Sequence, residues 1–173
     1  MSDYYASLDL PSLQLNLDLA DLEKRFHAAS RRWHPDRFAR ASTAEQQAAL
    51  DASSLLNDAY RTLRDPLQRA EYALKLAGLN IGEQGNKDVP ADLLEEVFEF
   101  NMALEEADED EVAAARERFA AMRDEIDRKM HGLFAAHDAA PQRETLEALR
   151  GLLNRRRYIS NLISTASGEG IRH

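Results

Sequence analysis

His34 and Asp36 stand two residues apart with Pro35 between them, and their types and spacing come nearest to acid–base chemistry in this sequence. Imidazole exchanges a proton near neutral pH, and a nearby carboxylate can orient it. Catalysis needs more than such a pair. No Ser, Lys or Cys nucleophile is set beside it in a recognisable arrangement, Cys is absent altogether, and no Gly-rich phosphate loop occurs. Pro35 lacks an N–H and disfavours the helical conformation at His34. The pair therefore belongs on an exposed turn, without walls that could exclude water, and the chain is not expected to be an enzyme. His131 and His137 are six apart, a spacing that does not put two metal ligands on one helix face. The acidic run 105–111 lacks the alternation and the Gly of a calcium loop and reads as a solvated helix–helix junction. Neither a cofactor nor a metal is expected.

The turn must be held by helices on both sides. Asp18 caps a first long helix, with Asp21 at its third position, where negative charge suits a helix N-terminus. Leu22, Phe26, Ala29 and Trp33 recur at spacings of four, three and four, one face of an amphipathic helix. The same helix carries Lys24, Arg25, Arg31 and Arg32 and ends at Pro35. Ser42 and Glu45 have the spacing of a capping box. It opens a helix over 43–64 with Ala48, Leu55, Ala59 and Leu63 on its face and Ala52 and Leu56 beside them. Two long helices joined by a short loop pack antiparallel, and a short helix over 3–8 covers them with Tyr4, Tyr5 and Leu8. Asp65-Pro66 restarts the chain as a cap with Pro at the first helical position. That helix carries Ala70, Ala73, Leu74 and Ala77 and is closed by Gly78. Residues 79–91 hold Asn80, Gly82, Gly85, Asn86 and Pro90, and the domain boundary is expected there.

Three helical patterns follow. Asp92 to about Ala107 presents Leu93, Val97, Phe100 and Leu104. Asp110 to about His137 presents Val112, Ala115, Phe119, Met122, Ile126, Met130 and Leu133, and Thr145 to about Ala166 presents Leu149, Leu152, Ile159 and Ile163. This repeat with short connections predicts an antiparallel three-helix bundle. The first of these helices has apolar residues to spare. Leu94, Phe98 and Met102 form a second row about 100° around from the core face, flanked by Glu95, Glu96 and Glu99. On the last helix Tyr158 sits one residue off the core face, after Arg155-Arg156-Arg157. A large apolar patch with a charged rim marks a partner site; a wider buried face, or packing against the N-terminal domain, would use the same residues.

Composition narrows the function classes. A chain of 173 residues with 44% apolar residues can form one domain or two small ones. Without Cys it cannot hold a cluster or a metal through its own thiolates. No apolar run has the length of a membrane span, and the acidic, aromatic start resembles neither a signal peptide nor a presequence, so a cytoplasmic protein is expected. A net charge of −9 argues against general nucleic-acid binding. The charge is uneven: Lys24 to Arg40 holds six basic residues and one acid, whereas Asp92 to Glu111 holds ten acids and no Lys or Arg. A local basic patch on an acidic protein suits steering toward an acidic protein surface.

A basic helix ending in His34-Pro35-Asp36 and followed by a capped second helix resembles the J-domain. Asp3-Tyr4-Tyr5, Leu22, Phe26 and the run Leu55 to Pro66 agree with it. The continuation Leu67-Gln68-Arg69-Ala70-Glu71-Tyr72 and the acidic helical second half are similar to the HscB family, the J-type co-chaperones of iron–sulfur cluster assembly. Trp33 and Arg37 depart from the usual Tyr and Lys of J-domains while keeping aromatic bulk and charge. The resemblance implies an all-α, L-shaped protein: a J-domain over 1–77, a linker over 78–91, a three-helix scaffold-binding domain over 92–167 and a tail over 168–173. It implies two protein partners. A DnaK-type chaperone of the HscA kind would be engaged by His34, Pro35 and Asp36, with Lys24, Arg25, Arg31, Arg32 and Arg37 steering, and its ATP hydrolysis promoted. An iron–sulfur scaffold protein of the IscU kind would be bound by Leu94, Phe98 and Tyr158, with Glu99 and Met102 beside them and Phe100 as the alternative aromatic. The other reading is a J-domain co-chaperone with a different client, its bundle used for other binding or for self-association.

Overall fold

The computed structural model describes residues 3–82, 91–103 and 107–166. It is all-α: among the described residues there is no strand. Among the described residues seven helices run α1 Tyr4–Ser7, α2 Leu19–Trp33, α3 Thr43–Arg64, α4 Pro66–Leu76, α5 Ala91–Ala103, α6 Glu109–Ala139 and α7 Arg143–Ala166, with a 3₁₀ turn Pro35–Phe38 after α2. The chain divides into two compact units, Met1–Gly78 and Leu79–His173.

In the first unit, capping chemistry fixes the helix starts. The Asp18 carboxylate accepts from the backbone N–H groups of Ala20 and Asp21. At α3 the Ser42 hydroxyl accepts from the Glu45 N–H, and the Glu45 carboxylate accepts from the Ser42 N–H at 2.9 Å, completing the capping box. Hydrogen bonds from the Ser42 hydroxyl and backbone to the Glu45 carboxylate hold its pKa below the usual value. Asp65 accepts from the N–H groups of Leu67 and Gln68, and Pro66 opens α4.

Tyr5, Leu8, Leu22, Leu56, Ala59 and Leu63 form the buried centre, flanked by Phe26, Ala29 and Trp33. The buried row of α3 is Ala49, Leu56, Ala59 and Leu63; Ala48 is exposed and Leu55 half-buried. The face expected from Ala48 and Leu55 is thus rotated by one position, since alanine-rich neighbours leave the periodicity nearly degenerate.

Two contacts join distant parts of this unit. The Tyr72 hydroxyl accepts from the Tyr4 N–H at 2.9 Å, and the two rings stack with centroids 4.5 Å apart. Burial raises the Tyr72 phenol above its ordinary pKa. Arg69, fully buried, donates from Nε to the Leu15 carbonyl at 2.8 Å and from Nη1 to the Leu63 carbonyl at 2.5 Å. It thereby satisfies a C-terminal carbonyl of α3.

The second unit is the antiparallel three-helix bundle. Leu93 and Val97 of α5 meet Phe119 and Ile126 of α6 and Ile159 and Leu162 of α7. Asp108 and Glu111 form a capping box at the start of α6, hidden in the acidic run that reads from sequence only as a junction. Arg156 and Asp127 form a two-pronged ion pair, at 2.5 and 3.2 Å, that sets α7 against α6. Asn154, buried, accepts from the Gly82 N–H and ties the chain after Leu79 to α7. On α7 the buried row is Leu146, Leu149, Leu153, Ile159 and Leu162. Leu152 and Ile163, expected inside, are only half-buried. His137 is buried near the end of α6, and no sequence pattern pointed to that. Leu104, the segment 83–90 and the tail after Ala166 lie outside the described residues.

Candidate functional sites

The first site grows from the end of α2. At His34 the backbone leaves the helix (φ −60°, ψ 128°), and Pro35 begins the 3₁₀ turn. The His34 ring is turned back on its own turn: Nδ1 accepts from the Asp36 N–H at 3.3 Å and lies 3.6 Å from the Asp36 carboxylate. Both side chains face solvent, His34 at 59% and Asp36 at 92% exposure. The turn is fixed from below. Trp33 stacks on Phe38 with rings 8° from parallel, and the Arg37 guanidinium donates to the Arg31 carbonyl at 3.4 Å. What results is a preformed exposed loop with no enclosing walls, suited to contact and unsuited to chemistry on a small molecule.

The five basic residues do not form one patch. Lys24 and Arg31 are seven apart, two turns along one face of α2, and Arg37 joins Arg31 beside the His-Pro-Asp turn. Arg25 and Arg32, also seven apart, line a separate groove of ≈ 440 Å³ against the end of α1. Arg25 is committed there: its guanidinium donates to Asp21 at 2.6 Å and to the Asp9 carbonyl at 2.6 Å. Arg32 lies over the Trp33 ring, 5.8 Å from its centroid.

The second site lies on α5. Phe98 and Met102 are each 67% exposed and are the most exposed large apolar side chains among the described residues. Leu94, one turn earlier, is half-buried against the bundle core, and Glu99 is exposed beside Phe98. Phe100 faces the other way: its ring meets the buried Phe119 edge-on at 5.2 Å. A Glu96–Arg118 ion pair at 2.6 Å, with Arg118 over the Phe119 ring, holds α5 in this rotation. Tyr158 packs half-buried against the same core, so it is less of a free surface side chain than its offset from the α7 face suggests. Among the described residues no group of three or more His, Asp or Glu side chains could hold a metal ion, and no helix is long and apolar enough to cross a membrane.

Two family models match the two units in turn. Residues 3–73 match the DnaJ domain, and residues 89–167 match the HscB C-terminal oligomerisation domain. A co-chaperone protein HscB homolog of Burkholderia multivorans is 36% identical over 146 residues, covering 81% of each chain. The chain belongs to the HscB family of co-chaperones. Solved HscB structures carry the same fold. The human co-chaperone HscB superposes with a TM-score of 0.71 at 30% identity, covering 99% of this chain and 83% of that one. HscB from Vibrio cholerae does so with a TM-score of 0.71 at 29% identity, covering 96% and 97%. The N-terminal unit is thus a J-domain, and the family is one of co-chaperones rather than enzymes, as the wall-less His-Pro-Asp turn suggested.

Proposed function

We propose that this HscB-family chain is a cytoplasmic co-chaperone of iron–sulfur cluster assembly that binds an IscU-type scaffold protein and delivers it to an HscA-type chaperone, whose ATPase it stimulates. The observation that carries this reading is the pairing of a rigid, exposed His-Pro-Asp turn in one unit with an exposed apolar row in the other. The scaffold is held by Phe98 and Met102, with Leu94 and Tyr158 at the inner edge of the row and Glu99 at its rim. Truncating a central apolar anchor typically costs ~2 kcal/mol or more of binding. The chaperone is met by His34, Pro35 and Asp36. Lys24, Arg31 and Arg37 steer it, because exposed cations on one face raise the encounter rate with an acidic surface. Arg25, whose charge is already spent on Asp21 and the Asp9 carbonyl, contributes less, and Arg32 acts from the neighbouring groove. Both binding events on one chain give the coupling: scaffold bound at one end, hydrolysis triggered at the other.

The test is a pair of variants read in two assays. His34→Gln should abolish stimulation of the chaperone's ATPase and leave scaffold calorimetry unchanged. Phe98→Ala with Met102→Ala should do the reverse. An intact chain that stimulates no DnaK-type ATPase would remove the chaperone half. One that binds no scaffold would leave a J-domain co-chaperone with another client. The description of the matching C-terminal family as an oligomerisation domain favours a second activity of the same bundle, self-association.

A further inference from the structure

All the sulfur in this chain is thioether: it has four Met and no Cys. Met1 lies outside the described residues. The others are Met102, Met122 and Met130, so no sulfur occurs from residue 2 to residue 101, the matched J-domain included. The bundle treats its three thioethers unequally. Met130 is buried inside α6, and Met122 packs half-buried against the core that holds Phe119 and Ile126. Met102 is 67% exposed. It follows Phe98 by four residues, one turn along the same side of α5. Among the described residues it is the one methionine whose side chain stands in solvent, and it stands in the apolar row.

A thioether differs from the hydrocarbon side chains beside it in that it can be oxidised and restored. The sulfur lone pair attacks one oxygen of a peroxide; an S–O bond forms and the O–O bond breaks. The departing hydroxide takes the proton of the transferred OH and leaves as water. Sulfur gives up two electrons and the peroxide accepts them. Methionine sulfoxide reductases reverse the step with two thiols, which supply two electrons and two protons. The oxygen leaves as water and a disulfide remains. Between the two steps the side chain carries a strong acceptor oxygen. Glu99, three residues earlier and exposed, is ionised and acceptor-only, so it has no hydrogen to donate to that oxygen. Pressed against an apolar partner, the sulfoxide would lose its water without gaining a donor, which opposes binding.

Resting on the scaffold reading above, we propose that Met102 is a reversible oxidation site: a peroxide converts it to the sulfoxide and thereby releases the scaffold. The J-domain holds no sulfur beyond Met1, so the oxidised chain still stimulates the chaperone but brings it no scaffold. The test treats the full chain with hydrogen peroxide, removes the peroxide, and only then adds the scaffold. Peptide mass spectrometry should find the added oxygen on Met102 ~10-fold sooner than on Met122 or Met130, because burial protects a thioether. Calorimetry should show the scaffold's Kd weakened ~10-fold or more, the effect of one buried acceptor left unpaired. Reductases for both sulfoxide epimers should restore it. ATPase stimulation measured without scaffold should not change. Met102→Leu, whatever its own affinity, should bind equally before and after peroxide. Equal oxidation of the three methionines, or oxidation of Met102 with Kd unchanged, overturns the proposal and leaves the scaffold reading standing. So does a loss of affinity that Met102→Leu shares, since the damage then lies elsewhere. Failure of the untreated chain to bind the scaffold overturns both.

Discussion

Phe98 and Phe100 are two residues apart on α5, and exchanging either for alanine should give opposite results. Phe100 is half-buried with its ring edge-on to Phe119 at 5.2 Å. A fully buried Phe→Ala change costs 3–5 kcal/mol and an aromatic pair adds about 1, so Phe100→Ala should destabilise the bundle by ~2–3 kcal/mol. Phe98, 67% exposed, has little packing to lose, and Phe98→Ala should stay within ~0.5 kcal/mol of the parent. Binding at the proposed scaffold site should invert the order. Losing ~2 kcal/mol at Phe98 weakens Kd roughly 30-fold, while Phe100→Ala leaves the affinity of the folded protein nearly unchanged. Native-state hydrogen exchange of the α6 amides around Phe119 reads the stability of the bundle by itself, and calorimetry with the scaffold reads the site. If Phe98→Ala loosened α6 as much as Phe100→Ala, the assigned rotation of α5 would be wrong. Loss of binding in Phe100→Ala with α6 still protected would refute the placement of the site.

Other consequences can be measured in the same preparations. Arg69→Met removes two charge-assisted hydrogen bonds from buried carbonyls and should cost the J-domain about 3–5 kcal/mol in urea unfolding, against almost nothing for the exposed Lys24→Ala. A double-mutant cycle on Asp127 and Arg156, only 31% and 21% exposed, should give a coupling of about 1 kcal/mol, whereas the exposed Arg143–Glu147 pair should give about 0.3. The lowered pKa of Glu45 makes its stabilisation present above the unfolded-state carboxylate pKa and lost as pH falls through the folded value, so Glu45→Gln should flatten the acid limb of the stability–pH curve. Tyr72 has a raised pKa, so its contribution holds below the unfolded phenol value and fades as pH climbs through the folded one; Tyr72→Phe should remove that alkaline loss.

What the sequence made legible was local. Asp18, the Ser42–Glu45 box and Asp65-Pro66 placed three helix starts correctly because a cap is settled within four residues. The His34-Pro35-Asp36 turn was readable for the same reason: proline fixes it without tertiary help. The rotation of α3 was not, since Ala48, Ala49, Ala52 and Ala59 offer two nearly equal faces and only packing chooses between them. On α7 the same ambiguity favoured Leu152 over Leu153. The Asp108–Glu111 box was masked because it lies in a run of seven residues, 105–111, of which six are acidic, so only its spacing could have revealed it. Burial of Arg69 depends on a carbonyl 54 residues away, beyond any periodicity. The row Leu94–Phe98–Met102 was visible as surplus apolar surface; that Phe98 is exposed while Phe100 packs edge-on to Phe119 was not, because that depends on the rotation of α5 against α6.

The Tyr4–Tyr72 contact bears on how the protein is made. Its partners are 68 residues apart, and Tyr5 is fully buried in the core completed by the later helices. During synthesis at ~5–20 residues per second, α1 therefore waits roughly 3–14 s for its docking surface to be made. Through that interval Tyr4, Tyr5 and Leu8 are an unpaired aromatic and aliphatic segment on a nascent chain, of the sort that folding factors hold. A protein that serves a chaperone would itself spend its first seconds as a chaperone's substrate.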